Sequence, residues 1–278
     1  MFKPLKNITI VTIALNLPGP LAAKRFCELG ANVVKVEPPQ GDPFEQYCPE
    51  WYAQLNEGQQ REVIDIKSTE GRAQLNTLLS SATLLLTAQR PAALERLGLG
   101  WNELHEKFPL LNHLAVVGYP PPNDNHAGHD LTYQAALGLL NPPHMPKTLT
   151  ADLAGAERAA FEGLAMIMAT REGAKASQTL VALSDAADYM AQPFNYGLTS
   201  DGGLLSGALA EYDLYETLDG WVAVAALESH FKTKFKQQLA LKSFNKQEVA
   251  IRLKQKSSSE WVAWANQQDI PLVAVKKD

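Results

Sequence analysis

The chain has 278 residues, 46% of them hydrophobic, and a formal net charge of −5. That length gives one large domain or one and a half, and the acidity excludes a general nucleic-acid or membrane-surface binder, so any polyanionic ligand must be held by local positive charge. Two cysteines, Cys27 and Cys48, make no disulfide framework, no Cys/His cluster has zinc spacing, and no apolar run approaches the ~20 residues of a membrane span.

Ile8–Leu15 is an apolar run rich in β-branched residues and reads as a buried strand. It breaks at Asn16-Leu17-Pro18-Gly19-Pro20, a rigid turn, after which Leu21–Leu29 reads as a helix stopped by Gly30. Asn32–Glu37 is the next strand, ended by Pro38-Pro39. This strand–turn–helix–strand unit of about 30 residues is the βαβ pattern of a parallel sheet. Glu62–Ile66 alternates as a strand, and Ser68 caps a helix running to Leu79. Ala82–Thr87 and Leu114–Val117 are further strands, so ligand-binding loops are expected at the carboxyl ends of an open sheet.

After Tyr119 the pattern changes. A proline-rich stretch, Pro120-Pro121-Pro122-Asn123-Asp124-Asn125, leads to His129. Leu131–Leu140 and Asp152–Arg171 read as helices, the second apolar nearly all round and therefore buried. Thr179–Leu183 is a strand, and Ser184 caps a helix to Gln192. The Gly-, Ser-, Pro- and Asn-rich stretch that follows reads as a linker. Tyr212–Thr217 and Trp221–Ala226 form a hairpin around Asp219-Gly220. Helices over His230–Leu239 and Ser259–Gln268 and a short strand, Pro271–Val275, complete the chain. The fold class is α/β: a Rossmann-like parallel-sheet large domain over 1–192, a linker over 193–208 and a small α+β domain over 209–278.

The Pro18-Gly19-Pro20 turn could present backbone N–H groups to a phosphate, or be a tight connection only. Neither a G-x-G-x-x-G stretch nor a P-loop is present. Arg90 and Arg96 stand six residues apart just after a strand end; they are phosphate clamps or surface solubility. His129, taken alone, fits a hydrogen-bonded structural histidine as well as a proton-transfer group. Asp152 fits a helix N-cap, and Glu228 a solvated residue starting a helix. Together His129 and Asp152, each at the mouth of a helical run, can supply two proton-transfer groups to one cleft.

In order along the chain, these stretches resemble the family III CoA-transferases and, within them, the α-methylacyl-CoA racemase branch. The resemblance is carried by Leu5–Val11, Gly19-Pro20 and Leu29–Pro39 (L-G-A-N-V-V-K-V-E-P-P). It continues through Asp65-Ile66-Lys67 with Gly71, Arg90–Gly100, Ala127–Tyr133 (A-G-H-D-L-T-Y), Asp152 and Tyr215–Phe231. Several positions depart from the family pattern. Gly118-Tyr119-Pro120-Pro121-Pro122 replaces a glycine-rich loop, Ala88-Gln89 and Ala92 flank Arg90-Pro91, and Pro38 stands where many members carry a CoA-binding arginine. Charge, as Glu157-Arg158, follows the aspartate. Typical members also continue for many tens of residues past the stretch matching Pro271-Leu272-Val273, a return segment this sequence is expected to lack.

The resemblance implies Asp152 as carboxylate nucleophile or base, with His129 and Glu228 as racemase-type partners. It implies CoA contacts at Arg90, Arg96, Lys67 and Leu17, coenzyme A as part of the substrate thioester, no metal, and a homodimer. No signal-peptide core is seen near Met1, so a cytoplasmic protein without nucleic-acid or membrane partners is expected. The implied reaction is 1,1-proton transfer at the α-carbon of a 2-methylacyl-CoA. The alternatives are CoA transfer between carboxylic acids through an aspartyl intermediate, and a shortened member that only binds CoA or a protein partner.

Overall fold

The structure, a computed structural model, describes residues 2–276; Met1 and Lys277–Asp278, at the outer bounds of the expected domains, lie outside the described residues. The chain divides into two compact units between Ala191 and Gln192.

The first unit is built on six parallel strands, β1 (Thr9–Thr12), β2 (Asn32–Glu37), β3 (Gln60–Val63), β4 (Leu84–Thr87), β5 (Asn112–Val117) and β6 (Gln178–Ala182), in the order β3-β2-β1-β4-β5-β6. Strands β4 and β5 are buried throughout, as a sheet covered on both faces requires. One face packs on α1 (Pro18–Glu28) and on the α8 helix described below, through Ile10, Phe26, Leu84, Leu114 and Ile167. The other packs on α4 (Thr69–Ser81), α5 (Pro91–Arg96) and α6 (Trp101–Lys107), through Val11, Leu75, Leu85, Leu94 and Leu104.

Strand β3 lies earlier than the alternation predicts. Asp65 Oδ1 accepts from Lys67 N–H at 3.1 Å and Ile66 N–H bonds to Ile64 O, so the chain turns where a strand was expected. Two short helices, α2 (Pro43–Tyr47) and α3 (Pro49–Asn56), fill a stretch for which the sequence predicts no element. Helices α5 and α6 were also unexpected; Pro91 opens α5 at a position where a proline costs no hydrogen bond.

Helix α7 (Asp130–Ala136) is shorter than predicted, since Gly138 at φ 70° reverses the chain behind it. Helix α8 (Thr150–Arg171) buries only one face, composed of small residues with Met166 and Ile167; Phe161 is 70% exposed and Met168 62%. The expectation of a helix buried all round is therefore overturned. An even spread of apolar residues around a helix cannot distinguish a buried cylinder from one with an apolar outer face. Helix α9 (Leu183–Asn195) begins one residue before Ser184, which is thus inside the helix rather than its cap, and Ser184 N–H bonds to Gly118 O. It runs through Pro193, and residues 196–208 then close on themselves through backbone bonds such as Leu205 N–H to Leu198 O.

The second unit carries an antiparallel sheet, β7 (Tyr212–Glu216), β8 (Trp221–Ala225) and β9 (Leu272–Ala274), in the order β7-β8-β9. The hairpin closes at Asp219-Gly220 as predicted, with Thr217 N–H on Gly220 O at 2.9 Å. Helices α10 (Ser229–Gln238), α11 (Lys246–Leu253) and α12 (Ser258–Gln268) cover one sheet face around Tyr215, Val224, Phe235 and Trp261. Helix α11 has no counterpart among the predicted elements.

Candidate active site

Helices α7 and α8 meet end to end at one buried carboxylate. Asp130, 4% exposed, accepts at Oδ1 from the N–H of Ala151 at 2.6 Å and of Asp152 at 3.2 Å. Its Oδ2 accepts from Gln134 Nε2 at 2.5 Å, and Gln134 Nε2 also donates to Thr148 O. The first turn of any helix presents N–H groups without intrahelical partners and a partial positive charge. Here a carboxylate from the neighbouring helix satisfies them. Asp152, which the sequence pattern fits as the N-cap, is instead the third residue of α8, and Leu149 holds the cap position without a side-chain bond.

Asp130, not Asp152, thus supplies the side-chain acceptor for that first turn. The Asp152 side chain is half-buried, and its carboxyl is pushed up to about 6, first by desolvation and then by the negative charge of Asp130. A carboxylate perturbed toward neutrality can take a proton and give it back near pH 7.

His129 directly precedes Asp130 as the N-cap of α7, in extended backbone. Thr132 Oγ1 accepts from its N–H at 3.1 Å and donates to its carbonyl at 2.7 Å, fixing the main chain. The imidazole is exposed. His129 and Asp152 are thus brought to one joint through Asp130. Glu228 belongs to the second unit, where it is exposed and is the N-cap of α10.

Tyr133 completes the joint, and sequence reasoning did not single it out. Its ring stands edge-on to Tyr119 at 5.1 Å, and a methyl group added at Gly118 or Gly128 would lie 2.6 or 2.5 Å from its hydroxyl. Only glycine lets both backbones approach so closely, which gives the spacing of Gly128 and Tyr133 a physical cause. The phenol is pushed up to about 12, mainly by burial, with Tyr119, Asp152, Arg90 and Asp130 among the charges that act on it.

The expected ligand-binding residues fall in different places. Arg90 caps the start of α5 and its charge reaches Tyr133. Arg96 is exposed at the far end of that helix, about 9 Å along its axis. Lys67 lines a cavity of about 220 Å³ at the carboxyl ends of β1 to β4, with Leu15, Pro38, Gln40, Asp65 and Gln89. Leu17 packs into the core with Phe44, Tyr52 and Leu55, leaving only its main chain to meet a ligand. The start of α1 offers few donors, because Pro18 and Pro20 have no N–H and Gly19 is buried. A larger cavity of about 410 Å³ lies beside α5 and α6 over the buried His113. It is lined by Glu95, Glu103 and Asp124 and by no cation, so it does not suit a phosphate. No group of three or more His, Cys, Asp or Glu among the described residues could hold a metal, and no helix among them is long and apolar enough to cross a membrane.

The family model described as CoA-transferase family III matches residues 5–277. The chain belongs to that family. Among its curated relatives, human alpha-methylacyl-CoA racemase is 28% identical over 86% of this chain and 65% of that protein. The succinyl-CoA–D-citramalate CoA-transferase of Chloroflexus aurantiacus is 26% identical over 85% of this chain and 65% of that protein. This family III chain thus spans about two thirds of the length of those relatives, which include both racemases and CoA-transferases. A CaiB/BaiF family protein from Brucella suis shares the fold at a TM-score of 0.82, with 22% identity over all of this chain and 85% of the other. The Mycobacterium tuberculosis protein Rv3272 superposes at a TM-score of 0.87, with 23% identity over 99% of this chain and 85% of the other.

Proposed function

We propose that this family III protein transfers the α-proton of a 2-methylacyl-CoA thioester, with Asp152 and His129 as the two proton-transfer groups. The reading is carried by a carboxyl raised to about 6 held at the same helix junction as an exposed imidazole. One group takes the proton from one face of the α-carbon. The C–H electron pair forms the enolate, whose charge gathers on the thioester oxygen, and the conjugate acid of the other group returns a proton to the opposite face. Asp130 orients Asp152 by holding the first turn of α8. Glu228 is the third catalytic residue in this reading. Arg90 supports the CoA phosphates near the reacting centre, and the cavity at Lys67 takes the nucleotide end. The assembly proposed is a cytoplasmic homodimer with the domain bounds 1–192 and 209–278.

A second reading has one specific support: Asp152 alone is a half-buried carboxylate at a helix start, enough for nucleophilic transfer of CoA through an aspartyl intermediate. Incubation with 2-methylacyl-CoA in heavy water separates the two. Proton transfer incorporates α-deuterium, and both Asp152→Ala and His129→Ala remove most of it. Transferase chemistry is lost in Asp152→Ala and largely kept in His129→Ala. Thermal stabilisation by CoA without either reaction would leave a binding protein.

A further inference from the structure

The Tyr133 hydroxyl is enclosed and has no hydrogen-bond partner among the described residues, although the side chain is only 2% exposed. A buried hydroxyl left unpaired lowers stability, and phenylalanine would fill the same space without that cost. Its position is not arbitrary. It lies against Gly118 at the end of β5 and against Gly128, the residue before His129. Tyr133 also follows Asp130 by three residues and so shares the face of α7 that clasps the first turn of α8. The hydroxyl therefore lies beside the His129 end of the junction, and the charge of Asp152 reaches it.

An enolate formed there needs a donor at its oxygen. The N–H groups of Ala151 and Asp152, the obvious candidates at a long helix start, are already taken by Asp130 Oδ1. We infer that Tyr133 is a further catalytic residue, whose hydroxyl donates a hydrogen bond to the thioester carbonyl oxygen as negative charge gathers on it. The inference rests on the proposed proton transfer. As the base takes the α-proton, the C–H pair becomes the C=C bond and the carbonyl π pair moves onto oxygen; Tyr133 keeps its own proton throughout. Burial holds the phenol near 12, so it donates without ionising. Main chain of Gly118 and Gly128, rather than any side chain of theirs, lies against it.

Tyr133→Phe tests this. The unliganded melting temperature is expected to stay level or rise, while α-deuterium exchange falls by about 10²–10³-fold, the larger part in kcat and the rest as a raised KM. Exchange equal to that of the unmodified protein would overturn the inference. So would a marked fall in melting temperature, because the hydroxyl would then already be bonded. If the unmodified protein shows no exchange, the proposed reaction fails, and affinity decides Tyr133 separately. The probes are 2-methylacyl-CoA and its thioether analogue, which lacks the carbonyl oxygen. A preference for the thioester that Tyr133→Phe abolishes supports the donor; no preference, or one that the variant keeps, overturns it.

Discussion

Two buried polar clusters stand at the carboxyl edge of the same sheet, and they are built on opposite principles. At β2, the fully buried Lys35 ammonium bonds to Glu37 at 2.9 Å and Asp42 at 2.8 Å. Tyr52 donates to Glu37 and accepts from Arg61, and Asp42 accepts the N–H groups of Asn16 and Phe44. Each charge has a partner of opposite sign or a hydrogen bond, and the cluster ties the β1–α1 turn to the β2–α2 loop. At the α7–α8 junction, by contrast, two carboxylates stand together, one of them raised to about 6, and the Tyr133 hydroxyl is buried without a partner among the described residues. A satisfied network holds a shape, whereas a strained, under-satisfied one keeps groups available for a ligand. The contrast fits a stabilising role for Lys35 and the catalytic role proposed for Asp152.

The largest effect expected is on turnover. Asp152→Ala should lower α-deuterium exchange by about 10²–10⁴-fold, read by mass spectrometry. The same residue should oppose stability. Its carboxyl titrates higher in the fold, near 6, than at its ordinary 3.8, so its contribution is fully present below pH 3.8 and lost as pH rises through 6. Asp152→Asn should accordingly raise the melting temperature above pH 6 and lose that advantage below pH 4. A variant less stable than the parent at pH 7 would blur the contrast between the clusters.

Lys35→Met should do the reverse, costing about 3–5 kcal/mol in urea unfolding because two buried carboxylates lose their cation. A cost below about 1 kcal/mol would show that water or rearrangement replaces the ammonium. Gly128→Ala should cost about 1–3 kcal/mol, since the added methyl meets the Tyr133 hydroxyl and ring. The smallest effect separates the arginines. Arg90→Ala should weaken CoA binding about tenfold in calorimetry, the worth of one charge-assisted hydrogen bond, while Arg96→Ala changes little. Equal losses would place the phosphates along the whole of α5.

Much of the scaffold is legible in the sequence because its signals are local. The apolar run before Asn16, Gly30 at φ 93°, the Ser68 cap on Gly71 N–H and the Asp219-Gly220 turn each act within a few residues. The stretch from Pro43 to Asn56 is not, since its two helices are short and each opens on a proline, which by itself marks a turn as readily as a first helical position. The site divides the same way. His129 and Asp152 are marked by their place before helical runs, but the roles of Asp130 and Tyr133 exist only once α7 abuts α8. Two signals point to Tyr133: its place at the end of the Ala127–Tyr133 stretch, and Gly128, a glycine with no turn to make, five residues ahead of it.

The central claim is that Asp152 works as a base in α-proton transfer, and the pH profile of exchange tests it most directly. With 2-methylacyl-CoA in heavy water, kcat/KM for α-deuterium incorporation should fall on the acid side with an apparent pKa of about 6. An acid limb near the ordinary carboxylate value of 3.8, or no incorporation at any pH, would contradict it.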